Sequence, residues 1–456
     1  MKKIFKMLAA LVLLAAFAAG AQAYEIEWKN NFGGAGSDHF TSVTAVLGGF
    51  VAVGDSFETS FSSGDWADFT GRGSFDAIIV RHGSDGNIAW KNNFGGSGYD
   101  RFTSVTAVSG GIVAVGYSFE TSFGNGDWEG VAGNGNFDAI IVKYGNDGNV
   151  VWKNNFGGGG HDQFNSVTAV SGGVVAVGWS FESSFGNGNW AGVTGNGGSD
   201  AIIVKYNSDG NIVWKNNFGG RGDDRFLSVA AVPGGVVAVG YSFAPSFGSG
   251  DWAGVTGRGG ANAIIVKYGY DGNIVWKNNF GGAGNDFFTA VAAASSGIIV
   301  AGWTREDSFG NGDWESFMGR GRSDGIVVKY DNDGNVVWKN NFGGAGPDAF
   351  TSVAELSGGF VAVGYSHGPS FGNGDWVGVT GHGGGDAIAV KYDNDGNIVW
   401  KSNFGGGGND HFTSVTAVSG GFVAVGTSSA ASIGSGDWVG VTGLGGDYAI
   451  IVRYGH

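Results

Sequence analysis

A carboxylate recurs every 62 residues in this chain, at Asp38, Asp100, Asp162, Asp224, Asp286, Asp348 and Asp410. Each closes a Gly-Gly-x-Gly-x-Asp string. Seven acids at equivalent positions have two kinds of chemistry open to them. If they converge on an axis, their oxygens would hold a cation or a polar ligand. If they sit in tight glycine turns, each would accept N–H groups of its own loop. Repetition of the acid in every copy favours the turn role, so the seven are weak metal candidates and no metal site is assigned.

A second recurring group is Gly-Asp-Trp, at Trp66, Trp128, Trp190 (after Asn189), Trp252, Trp314, Trp376 and Trp438. An exposed indole beside an acid suits stacking on a sugar ring. The competing role, an indole pinning a long loop to its own unit, is preferred here as well. Other positions change from copy to copy. The end of the second apolar run reads Asp55, Tyr117, Trp179, Tyr241, Trp303, Tyr365 and Thr427, and a later loop position reads Arg72, Asn134, Asn196, Arg258, Arg320, His382 and Leu444. The residues flanking the repeated Asp vary too, among them His39, Tyr99, Arg101, Arg225, Phe287 and His411. Varied aromatic and cationic residues are the composition of a recognition surface. The candidate ligand-binding residues are therefore Tyr117, Trp179, Tyr241, Trp303 and Tyr365, with Arg72, Arg258 and Arg320. For catalysis, Glu58, Glu120, Glu182 and Glu306 occupy one equivalent loop position. No copy combines acids in a distinctive way, so no catalytic residue and no cofactor is assigned.

The elements that must carry these residues follow from the repeat. Trp28-Lys-Asn-Asn-Phe-Gly-Gly34 returns at Trp90, Trp152, Trp214, Trp276 and Trp338, and at Trp400 with Ser402 as its one change. In the second copy, Phe102–Val108 is a β-prone run ended by Ser109-Gly110-Gly111. Ile112–Tyr117 is apolar on both faces and so buried on both. A Gly- and Asn-rich loop leads to a third run, Ala139–Tyr144, and Asp147-Gly148-Asn149 is a hairpin signal before the fourth, Val150–Phe156. No segment has a helical period. Four antiparallel strands in each of seven 62-residue units predict an all-β, seven-bladed β-propeller. The last unit ends after its third strand, at Ala449–Tyr454, whereas Glu25–Phe32 is a surplus fourth strand at the other end. The N-terminal strand is expected to complete the last blade and close the ring.

Gly-Gly-x-Gly-x-Asp, the paired glycines before a short apolar strand, Asp-Ala-Ile-Ile-Val-Lys and Asp-Gly-Asn-Ile-Val-Trp together resemble the bacterial seven-bladed beta-propeller repeat (SBBP-like) family, over all seven units. The resemblance implies the fold and an exported bacterial context. It implies little about activity.

Composition sets further bounds. The 93 glycines would point to disorder were it not for a 42% hydrophobic fraction and a strict period. Residues 1–23 read as an export leader: Lys2, Lys3 and Lys6 precede an apolar run from Met7 to Gly20, and Ala21-Gln22-Ala23 is a cleavage pattern. Residues 24–456 are then one propeller domain bound for the periplasm or the exterior. Without cysteine there is no disulfide and no thiolate metal site. A formal net charge of −15 disfavours nucleic acid and anionic lipid, and no stretch after the leader is apolar enough to insert into a membrane. The expectation is a monomeric, non-catalytic binding or adhesion module that presents its variable face to a glycan or a surface protein. Two alternatives stay open: a propeller enzyme acting on glycans, and a protein-interaction scaffold without a small ligand.

Overall fold

The structure, a computed structural model, describes residues 23–295 and 297–456; nearly all of the predicted leader, residues 1–22, lies outside them. The first strand, β1 (Glu25–Phe32), stands apart from the blade that follows it. That blade consists of β2 (Asp38–Val46), β3 (Gly49–Phe57), β4 (Phe75–Gly83) and β5 (Ile88–Phe94), paired antiparallel in that order. The next is β6 (Asp100–Val108), β7 (Gly111–Phe119), β8 (Phe137–Gly145) and β9 (Val150–Phe156). The plan repeats until the last blade, β26 (Asp410–Val418), β27 (Gly421–Ser428) and β28 (Tyr448–Gly455), whose fourth strand is β1. The seven-bladed propeller and its closure by the N-terminal strand are thus as the repeat predicts.

The core lies between blades. Val51, Val53 and Ile79 of the first blade pack on Phe102, Ile112, Ile140 and Val142 of the second. Phe40, Phe50 and Ile78 pack likewise on Val423, Val425 and Ile451 of the last blade. Each such side chain contributes about 1.5–3 kcal/mol when fully buried, so a blade gains its stability from its neighbours.

Around the axis the innermost strands are sewn together by a device the apolar pattern does not announce. A β-bulge shifts the register between Phe102 and Ser104, and the second strand accommodates it with Gly116, where a Cβ would lie 1.9 Å from the Arg101 carbonyl oxygen. Thr103, in the bulge, donates from its hydroxyl to the Phe164 carbonyl of the next blade at 2.7 Å, and Ser104 Oγ accepts from Val167 N–H at 3.2 Å. The same stitch closes the ring, from Thr413 to the Phe40 carbonyl and from Val43 N–H to Ser414 Oγ. It lapses where the sequence places Leu227 and Ala290.

At the outer edge the opening motif fastens one blade to the next. Trp90 Nε1 donates to the Asn146 carbonyl at 3.0 Å, and Asn92 Nδ2 to the Gly148 carbonyl at 2.8 Å. Gly148 has φ of 85°, and a Cβ there would come within 2.9 Å of the Trp90 indole, so turn and contact both call for glycine. In the last blade, which has no such hairpin, Tyr24 packs against Trp400 and Phe422, with the Lys391 ammonium 4.9 Å from its ring centre.

Candidate ligand-binding mouth and inter-blade grooves

The repeated aspartates are buried, each 0% exposed. Asp100 accepts from Gly96 N–H at 3.0 Å and from the hydroxyls of Ser118 and Ser122, and Trp128 Nε1 donates to Ser118 Oγ at 3.1 Å. Burial raises the Asp100 carboxyl above the usual range, although those four donors work in the opposite direction. The Gly-Asp-Trp indoles are equally buried and stand edge-on to the phenylalanine that ends the preceding outer strand, as Trp128 does to Phe94. Acid and indole together pin the long loop to its blade. Among the described residues no group of three His, Asp or Glu side chains is placed to hold a metal ion.

The five aromatic candidates are half-buried around one mouth of the axis, at the ends of the second strands. Near the start of four innermost strands the varied residue, Arg101, Arg225, Phe287 or His411, lies beside them and touches the preceding blade, whereas His39 contacts Asp55 of its own blade. Arg101 Nε lies 3.3 Å from Asp55 Oδ1, and His39 Nδ1 is 3.2 Å from Asp55 Oδ2. The Arg225 guanidinium sits 4.3 Å over the Trp179 ring, Phe287 meets Tyr241 edge-on at 4.8 Å, and His411 meets Tyr365 edge-on at 5.0 Å. Tyr99 stacks on Tyr117 and Phe287 on Trp303. Burial opposes the charge of Arg101, but Asp55, Tyr99 and Tyr117 more than offset it and keep the guanidinium protonated. Burial and the nearby His367 hold His411 below the ordinary histidine range, and burial chiefly, with Asp55, lifts the Tyr99 phenol. Arg225 Nε is buried without a hydrogen-bond partner. The mouth is therefore a band of aromatic faces and held cations, different at every blade.

The three candidate arginines lie elsewhere. Arg72 Nη1 donates to the Asn93 carbonyl at 2.9 Å and pairs at 2.9 Å with Asp127 of the next blade's Gly-Asp-Trp. Arg258 pairs in the same way with Asp313, and Arg320 with Asp375 at 2.9 Å. Each lies at the lip of a groove between outer strands of adjacent blades. Among the described residues no hydrogen bond, ion pair or ring contact joins these arginines to the mouth aromatics. The predicted recognition set thus divides into a mouth and a perimeter.

Sequence reasoning left Arg101, Arg225, Phe287 and His411 out of the candidate set. The pairing of Arg101 with Tyr117 across the bulged register was the signal that could have included them. It also passed over Asp76, which is 0% exposed, accepts from Arg72 N–H, Gly73 N–H and Asn93 Nδ2, and is pushed by burial to a pKa of about 6. Glu58, Glu120, Glu182 and Glu306 each begin a one-turn 3-10 segment on their own blade and are exposed. Asp331 and Asp393, each opening an Asp-x-Asp-Gly-Asn turn, spend their carboxylates on N–H groups of that turn, Asp333 and Asn335 in the first case and Asp395 and Asn397 in the second.

No family model and no curated protein matches the chain, so its likeness to the seven-bladed bacterial repeat rests on the quoted motifs alone. Solved structures do align along its length. BamB from Moraxella catarrhalis is 11% identical, with a TM-score of 0.43, over 95% of this chain and 100% of its own. The WD40 beta propeller domain of Doa1 is 11% identical, with a TM-score of 0.45, over 94% and 96%. Sqt1 from Chaetomium thermophilum is 9% identical, with a TM-score of 0.44, over 95% and 100%. At these values the alignments say nothing of ligand or partner, and the propeller assignment stands on strand pairing. Among the described residues no helix is long and apolar enough to cross a membrane.

Proposed function

We propose that the chain is an exported, non-catalytic binding or adhesion module that presents the varied mouth of its propeller to a surface macromolecule, a glycan or a protein, in the periplasm or outside the cell. One observation carries the reading. Half-buried Tyr117, Trp179, Tyr241, Trp303 and Tyr365 alternate around one mouth with Arg101, Arg225 and His411, and they differ from blade to blade. The turns after the first and third strands, in contrast, keep Ser-Gly-Gly or a near relative and Asp-Gly-Asn. Aromatic faces and desolvated arginines on rigid strand ends are what contact surfaces concentrate. The test is a glycan array together with a pull-down from cell-surface fractions, run with Tyr117→Ala, Trp179→Ala and Trp303→Ala. Each variant is expected to weaken retention by about tenfold or more, the loss typical of a central contact residue. Retention unchanged in all three removes the reading.

A further inference from the structure

One equivalent position carries an anomaly in six of the seven blades, Tyr392 being the exception. His82 Nε2 and the hydroxyls of Tyr144, Tyr206, Tyr268, Tyr330 and Tyr454 are buried and have no hydrogen-bond partner. Buried polar groups are ordinarily satisfied, and a recurrent exception points to an absent partner. Tyr144 is 1% exposed, and its ring lines the groove beneath Arg72 and Asp127.

The grooves differ in a way that singles out two. Between the first and second blades the cavity is about 520 Å³, and between the fifth and sixth about 560 Å³. Both sizes fall within the range of small-ligand sites, about 300–1,000 Å³. The first is walled by half-buried Phe69 and the second by half-buried Phe317, where the other copies have valine. Both have an arginine at the lip, and Tyr392 takes the place of Tyr144 in the second. In the first groove Asp127 Oδ2 is taken by Gly95 N–H and Arg72, and Asn92 Nδ2 by the Gly148 carbonyl. Among the described residues, Asp127 Oδ1, Asn92 Oδ1, Arg72 Nη2 and the Tyr144 hydroxyl have no hydrogen-bond partner within the protein.

We propose that these two grooves are binding sites for a neutral polyhydroxylated ligand of monosaccharide size, an apolar face against Phe69 or Phe317 and its hydroxyls bridging the Arg–Asp pair and the buried tyrosine. Two free acceptors and two free donors match adjacent hydroxyls, which both give and accept. The Arg–Asp pair at each lip is neutral as a unit, with the Lys91 and Lys339 ammonium groups 5.2 and 5.5 Å from the Phe69 and Phe317 ring centres, and the acidity of the chain as a whole disfavours an anion. These sites are separate from the mouth and do not depend on it.

The test is calorimetric titration of the mature chain with the methyl glycosides of glucose, galactose, mannose and N-acetylglucosamine. Tyr144→Phe with Tyr392→Phe removes only hydroxyls, and Arg72→Asn with Arg320→Asn installs the residue found at positions 134 and 196. At least one glycoside is expected to saturate two sites, and either double variant to weaken binding about tenfold while the thermal melt stays within a few degrees. No saturation by any of the four, or binding that survives both double variants, overturns the proposal. So does binding abolished by Trp179→Ala alone, which would move the ligand to the mouth.

Discussion

Asp100 and Arg72 both pair with neighbours, but their environments rank them far apart. Asp100 is fully buried, and replacing it with alanine strands Gly96 N–H and the hydroxyls of Ser118 and Ser122. Each stranded group costs about 1–3 kcal/mol, so urea denaturation of Asp100→Ala is expected to show a loss of about 3 kcal/mol or more. The Arg72–Asp127 pair is roughly a third exposed on the arginine side, and Arg72→Ala is expected to cost at most about 1 kcal/mol in the same assay. The acid's repetition in the sequence is enough to point to its turn role. The arginine's partner was not legible, because it belongs to the next copy.

At the level of elements, the innermost strands offer a natural gap to fill. Ser104 and its equivalents accept an N–H from the next blade, whereas Ala290, 6% exposed, cannot. Ala290→Ser is expected to accept from Val353 N–H and to stabilise the chain by about 0.5–1 kcal/mol, and Ser104→Ala to destabilise it by a similar amount. An unchanged urea midpoint in both would mean the stitch contributes nothing. Closure is the larger effect. The strand β1 pairs from Glu25 with Gly455 to Phe32 with Ala449, and Arg453 holds Glu27. Deleting residues 24–32 exposes the last blade's third strand as an edge. The melt is expected to fall by on the order of 10 °C or more, followed by circular dichroism. An unchanged melt would contradict closure by β1.

For the molecule as a whole, burial leaves a pH signature. It pushes Asp76, Asp138, Asp224 and Asp324 up to about 6, helped at Asp138 by Asp162, at Asp224 by Asp200 and at Asp324 by Asp348, while hydrogen bonds work against it. A carboxyl raised above its unfolded value of 3.8 destabilises the fold when ionised. That penalty is fully present above pH 6 and is relieved as pH falls from about 6 towards 4. Burial holds His82 down to about 4 and works the other way, since the unfolded imidazole takes a proton below 6.5 and the folded one does not. Burial lowers His161 and His411 as well, but the raised carboxyls, Asp38, Asp100, Asp162 and Asp286 among them, outnumber the three histidines. The melting temperature is expected to rise as pH is lowered from 7.5 to about 5, by calorimetry at constant ionic strength, and a monotonic fall over that interval would contradict it.

Everything that repeats within one copy was readable from the chain: four strands, their turns, seven units, and which terminus lacks a strand. Hydrophobic period and glycine turns are local properties, and Phe102, Ile112 and Asp147-Gly148-Asn149 announce them without reference to any neighbour. What tertiary structure alone decided is every contact that crosses a blade junction. The rotation between blades brings Trp90 to Asn146, 56 residues on, and Arg258 to Asp313, 55 residues on. Those offsets fall short of the 62-residue period because each contact reaches a position six or seven residues earlier in the next copy of the repeat. That rotation turned the opening Trp-Lys-Asn-Asn motif into a fastener. It also carried the arginines to the rim and the aromatics to the mouth, because the long loop before the third strand and the end of the second strand face different neighbours once seven sheets close on an axis.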